Sequence, residues 1–226
     1  MSKKTLRSLA LAGGLFLCPA CNLVTEQSAG IRMVDDLVSQ VESVQIEAQV
    51  AAQSVFGTLR SLHPLVAGKF NGDAVETYVA FVQAVEDSEK QAARFRQSVV
   101  PMAAAAERVF GRWESGLEQY QGESMRARSQ ARLEEARTTY GAVLEASNEA
   151  QGELDAFHAG MRDLVLFLGI DLNQSSVRAI NDEAKALALA GQELRRTLER
   201  CSEAAGTYVG VAVPLGQIQV DVQSEE

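Results

Sequence analysis

Apolar residues recur along most of the chain in alternating steps of three and four, and Gly, Asn, Asp and Pro interrupt this pattern at a few places. Steps of three and four keep one seam of a helix turned towards a partner helix. The interruptions divide the pattern into four stretches, at residues 30–63, 73–121, 124–168 and 174–209. The pattern therefore predicts an all-α protein with four long helices, followed by a loose tail at 211–226.

The four seams also predict how the helices pack. They run from Val34 to Leu62, from Tyr78 to Trp113, from Leu133 to Leu168 and from Val177 to Tyr208. Short turns make consecutive helices antiparallel, and a sustained seven-residue repeat favours a left-handed coiled coil. We expect an elongated, up-down-up-down four-helix bundle.

Matching large seam residues to small ones gives a predicted register between neighbouring helices. Between the second and third helices, Trp113 is expected opposite Leu133. Between the third and fourth, Tyr140 is expected opposite Cys201, and Ser147 opposite Leu194.

The amino terminus has the layout of a secretory signal peptide. Lys3, Lys4 and Arg7 precede an apolar run at 9–17, which is too short to span a bilayer. Small residues and Cys21 follow, and the sequence before Cys21 resembles a bacterial lipobox, although Cys18 stands where Leu is usual. We predict a signal peptide at 1–20, a lipid anchor on Cys21 and a linker at 21–29. The alternative is cleavage after Ala20 that leaves Cys21 unmodified.

Charge narrows the range of partners. The chain has 30 acidic and 21 basic residues, a net charge of -9, and removing Lys3, Lys4 and Arg7 with the signal peptide makes it -12. An acidic protein repels phosphate backbones, so we expect no nucleic-acid partner. The expected partners are the membrane, through the lipid on Cys21, and an envelope protein or a second copy of the chain.

Few residues offer catalytic or metal-binding chemistry. A di-metal bundle needs two Glu-x-x-His pairs and further carboxylates, but the only histidines are His63 and His158. Asp155 and His158 lie beside the seam, which favours a solvated pair. Cys201 lies in the seam, which favours a buried, unreactive thiol. We predict no catalytic residue, no metal site and no cofactor.

One end of the predicted bundle combines aromatic and basic residues. The start of the first helix and the turn near residue 122 share this end, so a lipid on Cys21 would place it at the membrane. The candidate membrane or partner contacts there are Arg112, Trp113, Leu117, Tyr120, Arg126 and Arg128. Such a mixture suits a lipid headgroup region. The alternatives are a salt-bridged solvent face for the arginines and a core position for Trp113.

Three motifs resemble an uncharacterised bacterial family, domain of unknown function 2959. They are Phe110-x-x-Trp113-Glu114-x-x-Leu117-x-x-Tyr120, the run 165–168, and Leu172-x6-Ala179-Ile180. The resemblance implies an exported helical protein with a lipoprotein-like signal. The family's usual Lys-His turn is replaced here by Gly169-Ile170, which puts in doubt any polar role of that turn.

The sequence thus favours a non-catalytic binding or scaffolding lipoprotein on the periplasmic side of the cell envelope. Two alternatives remain open: an enzyme with a metal or thiol site inside the bundle, and an intracellular, membrane-associated coiled-coil protein.

Overall fold

The structure is a computed structural model that describes the backbone of residues 20–67 and 73–212, with side chains from residue 30 onwards. The signal peptide predicted at 1–20 lies outside the described residues except for Ala20. Of the tail predicted at 211–226, residues 213–226 also lie outside the described residues.

The described residues form helices and their connections, without a strand, so the all-α prediction is confirmed. The five helices are α1 (Ala20–Val66), α2 (Ala74–Leu117), α3 (Glu123–Ile170), α4 (Gln174–Ala179) and α5 (Asn181–Ala212). The three longest have 44 to 48 residues, and a helix of that length extends about 65 to 70 Å.

Helix α1 begins ten residues ahead of the predicted start at residue 30, so the predicted linker at 21–29 belongs to the helix. Helix α1 also continues through Pro64 to Val66. A proline near a carboxyl end removes one hydrogen bond from the last turns without stopping the helix at once. Asp73 caps α2 by accepting a hydrogen bond from the Val75 backbone N–H at 3.0 Å.

The prediction of one helix over 174–209 is wrong, because the backbone leaves helical geometry at Ile180. This residue has φ -94° and ψ 6° and separates α4 from α5. Asn173 caps α4 through two backbone N–H groups, and Asp182 and Glu183 lie in the first turn of α5. Acidic residues at a helix amino terminus interact favourably with its dipole, which supports a second helix start after Ile180.

Helix α1 packs against α2 and α5, and α3 packs against the same two helices. Cross-helix ion pairs show the directions along α2 and α3. Glu89 pairs with Arg162 at 2.5 Å, and Glu114 pairs with Arg137 at 2.9 Å. Residue numbers therefore fall along α3 as they rise along α2.

The predicted register between α3 and α5 is wrong by one heptad. Cys201 lies 3.3 Å from the hydroxyl of Ser147, rather than opposite Tyr140. The ring of Tyr140 instead contacts the ring of Tyr208, with centroids 6.0 Å apart. A shift of seven residues leaves every seam residue on the seam, so the periodicity alone does not distinguish the two registers.

The seams form the core. Every predicted seam residue is buried or half-buried, and the half-buried ones are Val34, Tyr78, Trp113, Ala136 and Leu187. The seam prediction is therefore confirmed at the level of burial. Helix α2 also continues through Pro101.

Candidate functional site

Four helices meet at the end of the molecule where α2 turns into α3. Helix α2 ends at Leu117, α3 begins at Glu123, and α5 ends nearby at Ala212. Helix α1 reaches the same end, since Gly30 lies close to Arg112 of α2: a Cβ added to Gly30 would be 3.6 Å from Nε of Arg112. The predicted membrane-contact residues are all on this end.

Trp113 is the central side chain of this end, and it is half-buried. Its indole N–H donates a hydrogen bond to the Ser129 hydroxyl on α3 at 2.9 Å. The ring also packs against the hydrophobic core. Because α3 holds the indole in place, Trp113 forms a fixed wall and not a freely projecting anchor.

A cleft surrounds Trp113, and we call it the Trp113 cleft. Its first lobe lies between α1 and α2 and has a volume of about 430 Å³. Met33, Val34 and Val109 supply its apolar wall, and Arg112 and Tyr120 also line it. Among the described residues that line this lobe, Arg112 alone carries a charge.

The second lobe lies on the other side of Trp113 and has a volume of about 220 Å³. Phe110 and Tyr208 contribute aromatic rings to its wall, and Arg132 and Glu135 contribute charges. Burial and the neighbouring Tyr140 raise the pKa of Tyr208 to about 12, so its hydroxyl stays neutral. Val34, Val109 and Trp113 line both lobes.

The structure brings some of the predicted contact residues together and leaves others apart. Arg112, Trp113 and Tyr120 line the same lobe. Arg126 joins them indirectly, because its guanidinium donates a hydrogen bond to the Tyr120 carbonyl at 3.1 Å. Leu117 is half-buried against the core, and Arg128 is exposed; neither lines a lobe.

Sequence reasoning missed the second lobe. Tyr208 lies on the predicted seam, which favours a core position. Phe110 lies one position beyond a seam residue, and the sequence singles it out only as part of the family motif. Their rings each contact Tyr140 edge to face, at 6.0 and 5.5 Å between centroids. The available signal was the gathering of large aromatic residues at one end of several seams.

The cysteine that is the predicted lipidation site stands near the start of α1. Cys21 lies one residue after the first residue of α1, Ala20. Its side chain lies outside the described part of the structure.

The prediction that His158 is a solvated flank residue is wrong. His158 is 1% exposed, and its Nε2 shares a hydrogen bond of 2.9 Å with the hydroxyl of Ser88, which is also 1% exposed. Burial lowers the pKa of His158. Asp155 is exposed and makes an ion pair with Arg96, so the two residues do not form a joint site. His158 is covered because α2 packs over the position beside the seam.

Cys201 is fully buried. Burial raises the pKa of its thiol, and the contact with the Ser147 hydroxyl acts in the opposite direction. The thiolate is the reactive form of cysteine, so these surroundings make the thiol a poor nucleophile.

Within residues 20–67 and 73–212, no group of three or more His, Cys, Asp or Glu side chains is arranged to hold a metal ion. None of the helices in these ranges combines the length and hydrophobicity that a membrane crossing requires.

The chain belongs to the family described as "Protein of unknown function (DUF2959)", which matches residues 24–211. The resemblance read from the sequence motifs is therefore confirmed. No curated protein matches the chain.

Proposed function

We propose that this member of the family is an exported, lipid-anchored protein of the cell envelope. In this proposal its role is to bind or scaffold, without catalysis, on the periplasmic side. The long helices would form an antiparallel coiled-coil bundle, held to the membrane by a lipid on Cys21.

The observation that carries the proposal is the position of the Trp113 cleft. The cleft lies at the end where α1 begins, a few helical turns from Cys21. An aromatic wall with an arginine and a partly exposed tyrosine beside it suits the boundary between lipid headgroups and water. Tyr120, at 37% exposure, and Arg126 extend this surface onto the turn between α2 and α3.

The buried seams support the coiled-coil part of the proposal. Apolar residues spaced by three and four fill the space between helices of opposite direction, as in bundles with knobs-into-holes packing. The long helices contact one another in the cyclic order α1, α2, α3, α5, which is the neighbour order of an up-down-up-down bundle once the short α4 is set aside.

The surroundings of the candidate chemical groups support a non-catalytic role. Cys201 is fully buried and its thiol is held in the protonated form. His158 is enclosed between α2 and α3, where a substrate has no access.

The test is fractionation of cells that produce the full-length protein, with mass spectrometry of its amino terminus. We expect the protein in the membrane fraction, with a mature chain that begins at Cys21 and carries a diacyl modification. The variant Cys21→Ser is expected to lose the lipid and leave the membrane fraction. An intact Met1 in the wild-type protein would contradict export and would favour an intracellular protein instead.

A further inference from the structure

We propose that the segment after α5, residues 213–226, lies in the second lobe of the Trp113 cleft and covers it. The occupant is part of the same chain, so this proposal goes beyond the anchoring and does not depend on it. It gives the lobe a ligand within the molecule, which any other molecule would have to displace.

Helix α5 ends before its neighbour α3 does. The rings of Tyr208 and Tyr140 lie opposite each other. Ala212 is four residues further along α5 and Ala136 is four residues back along α3, and both line the second lobe. Beyond this level α3 extends another 13 residues, to Glu123, and 13 helical residues span about 20 Å. The lobe therefore lies where α5 would run if it continued.

Helices α1 and α2 also extend past the end of α5. Gly206 of α5 is level with Gln45 of α1, because a Cβ added to Gly206 would lie 3.0 Å from Nε2 of Gln45. Helix α1 begins 25 residues before that level, at Ala20. Val34 of α1 and Trp113 of α2 both line the lobe. Three helices thus surround a groove in which no described residue takes the place of the fourth.

The segment after α5 starts at this groove and has a suitable length. Val211 and Ala212 line the lobe, so the chain leaves α5 at its rim, and this attachment keeps the effective concentration of the segment high. Pro214 disfavours helical geometry at Val213. In extended form, residues 217–222 span about 20 Å. This is the length of α3 that α5 leaves uncovered.

The pattern of side chains in the segment suits an apolar groove. Ile218, Val220 and Val222 alternate with polar residues. Alternate side chains of an extended segment point to opposite sides, so one side is apolar and the other is polar. The apolar side matches a wall that includes Phe110 and Trp113, and covering that wall removes apolar surface from water. The polar side stays in contact with water.

Charge favours a segment that runs towards the start of α3. Asp221, Glu225 and Glu226 lie in its second half. Arg126 and Arg128 are exposed in the first turns of α3. Exposed ion pairs add little to affinity, so this complementarity selects the direction of the segment, and apolar contact holds it in place.

Trp113 is the only tryptophan in the chain, so its fluorescence reports on this cleft alone. The experiment uses the full-length chain with Cys18→Ser and Cys21→Ser, and with Gln219→Cys labelled with a nitroxide. Position 219 lies on the polar side, between two of the apolar residues. A nitroxide quenches an indole only at close approach. We expect lower Trp113 fluorescence than in the same protein after ascorbate has reduced the nitroxide.

Two substitutions that add the same charge provide matched variants of the labelled protein. Val220→Asp places a carboxylate on the apolar side and should abolish the quenching. Gln217→Asp places one on the polar side and should leave the quenching unchanged. Ile218→Asp is a second apolar-side variant, with the same expectation as Val220→Asp. Circular dichroism checks that each variant keeps its helices.

Three outcomes would overturn the proposal. Absence of quenching that depends on the nitroxide would leave the lobe to a lipid chain or an envelope protein. Equal quenching in Val220→Asp and Gln217→Asp would mean that the segment passes the indole without docking. Quenching that disappears on dilution would assign the lobe to the segment of a second copy. None of these outcomes bears on the anchoring, which the mass of the amino terminus tests separately.

Discussion

The imidazole of His158 on α3 and the hydroxyl of Ser88 on α2 form a hydrogen bond of 2.9 Å inside the protein, with each residue 1% exposed. The pair joins two helices at a place where water cannot replace either partner. The charged groups around it are Glu89 and Arg96 on α2 and Asp155 and Arg162 on α3, which form two ion pairs between the same helices.

The pH dependence of stability follows from this burial. Because burial lowers the pKa of His158 below its ordinary value of 6.5, the unfolded chain binds the proton more tightly than the folded one. The contribution of His158 is therefore fully present above pH 6.5 and is lost as the pH falls below it, by at most about 1.4 kcal/mol per pH unit. Urea unfolding between pH 7.5 and 5 measures this slope.

The two histidines of the chain give that experiment its control. His158→Gln should flatten the dependence, whereas His63→Gln should not change it, because His63 is exposed. An unaltered slope in His158→Gln would assign the effect to other groups.

The close packing between α3 and α5 predicts opposite effects for two glycine substitutions. At Gly191 an added Cβ would lie 2.9 Å from Cδ1 of Leu59 and 2.9 Å from Cε2 of Phe157. Gly191→Ala should therefore destabilise the protein by about 1 to 3 kcal/mol. Gly152→Ala is the control; it meets no atom within 4 Å on the exposed side of α3 and should stabilise by about 0.5 to 1 kcal/mol. Urea midpoints compare the two, and equal effects would mean that α5 does not approach α3 as closely as described.

The register of α3 against α5 can be tested by crosslinking. Because the Ser147 hydroxyl lies 3.3 Å from Cys201, Ser147→Cys should form a disulfide with Cys201 under mild oxidation. In the register expected from the sequence, the two positions would be one heptad apart, about 10 Å along the helix, beyond the reach of a disulfide. Peptide mapping identifies the bond. Ser88→Cys, equally buried but on α2, should not form it.

The reactivity of Cys201 follows from its burial and raised pKa. In the folded protein we expect iodoacetamide to modify Cys201 about 100-fold more slowly than in urea, because modification requires local opening. Mass spectrometry of the peptide that contains Cys201 separates it from Cys18 and Cys21. Rapid modification under native conditions would instead support a reactive thiol and reopen the enzymatic alternative.

The sequence predicted the core better than it predicted how the helices are aligned. Seam positions can be recognised because a helix that buries one stripe must repeat apolar residues every three or four positions. The alignment of α3 with α5 cannot be obtained in this way, since sliding by one heptad keeps each large residue within the core. The break at Ile180 also escaped prediction, because Ile180 is apolar and lies on the seam.

The candidate site shows the same limit. The sequence left two interpretations of Trp113 open, as a core residue and as a contact residue. In the structure the side chain packs against the core and also lines the cleft. His158 was misplaced because the prediction considered only the seam. In a bundle where each helix touches two neighbours, the positions beside the seam are covered too, as the 5% exposure of Gln91 and the 2% exposure of Thr197 also show.

The continuity of α1 determines how a lipid on Cys21 would hold the protein. A flexible linker of nine residues would let the bundle move and rotate freely above the bilayer. Residues 21–29 are instead helical, and a helix of that length rises only about 13 Å. A continuous helix would then connect the lipid rigidly to the bundle. The tilt of the whole molecule, and the height of each surface above the lipid, would be set by the axis of a single helix.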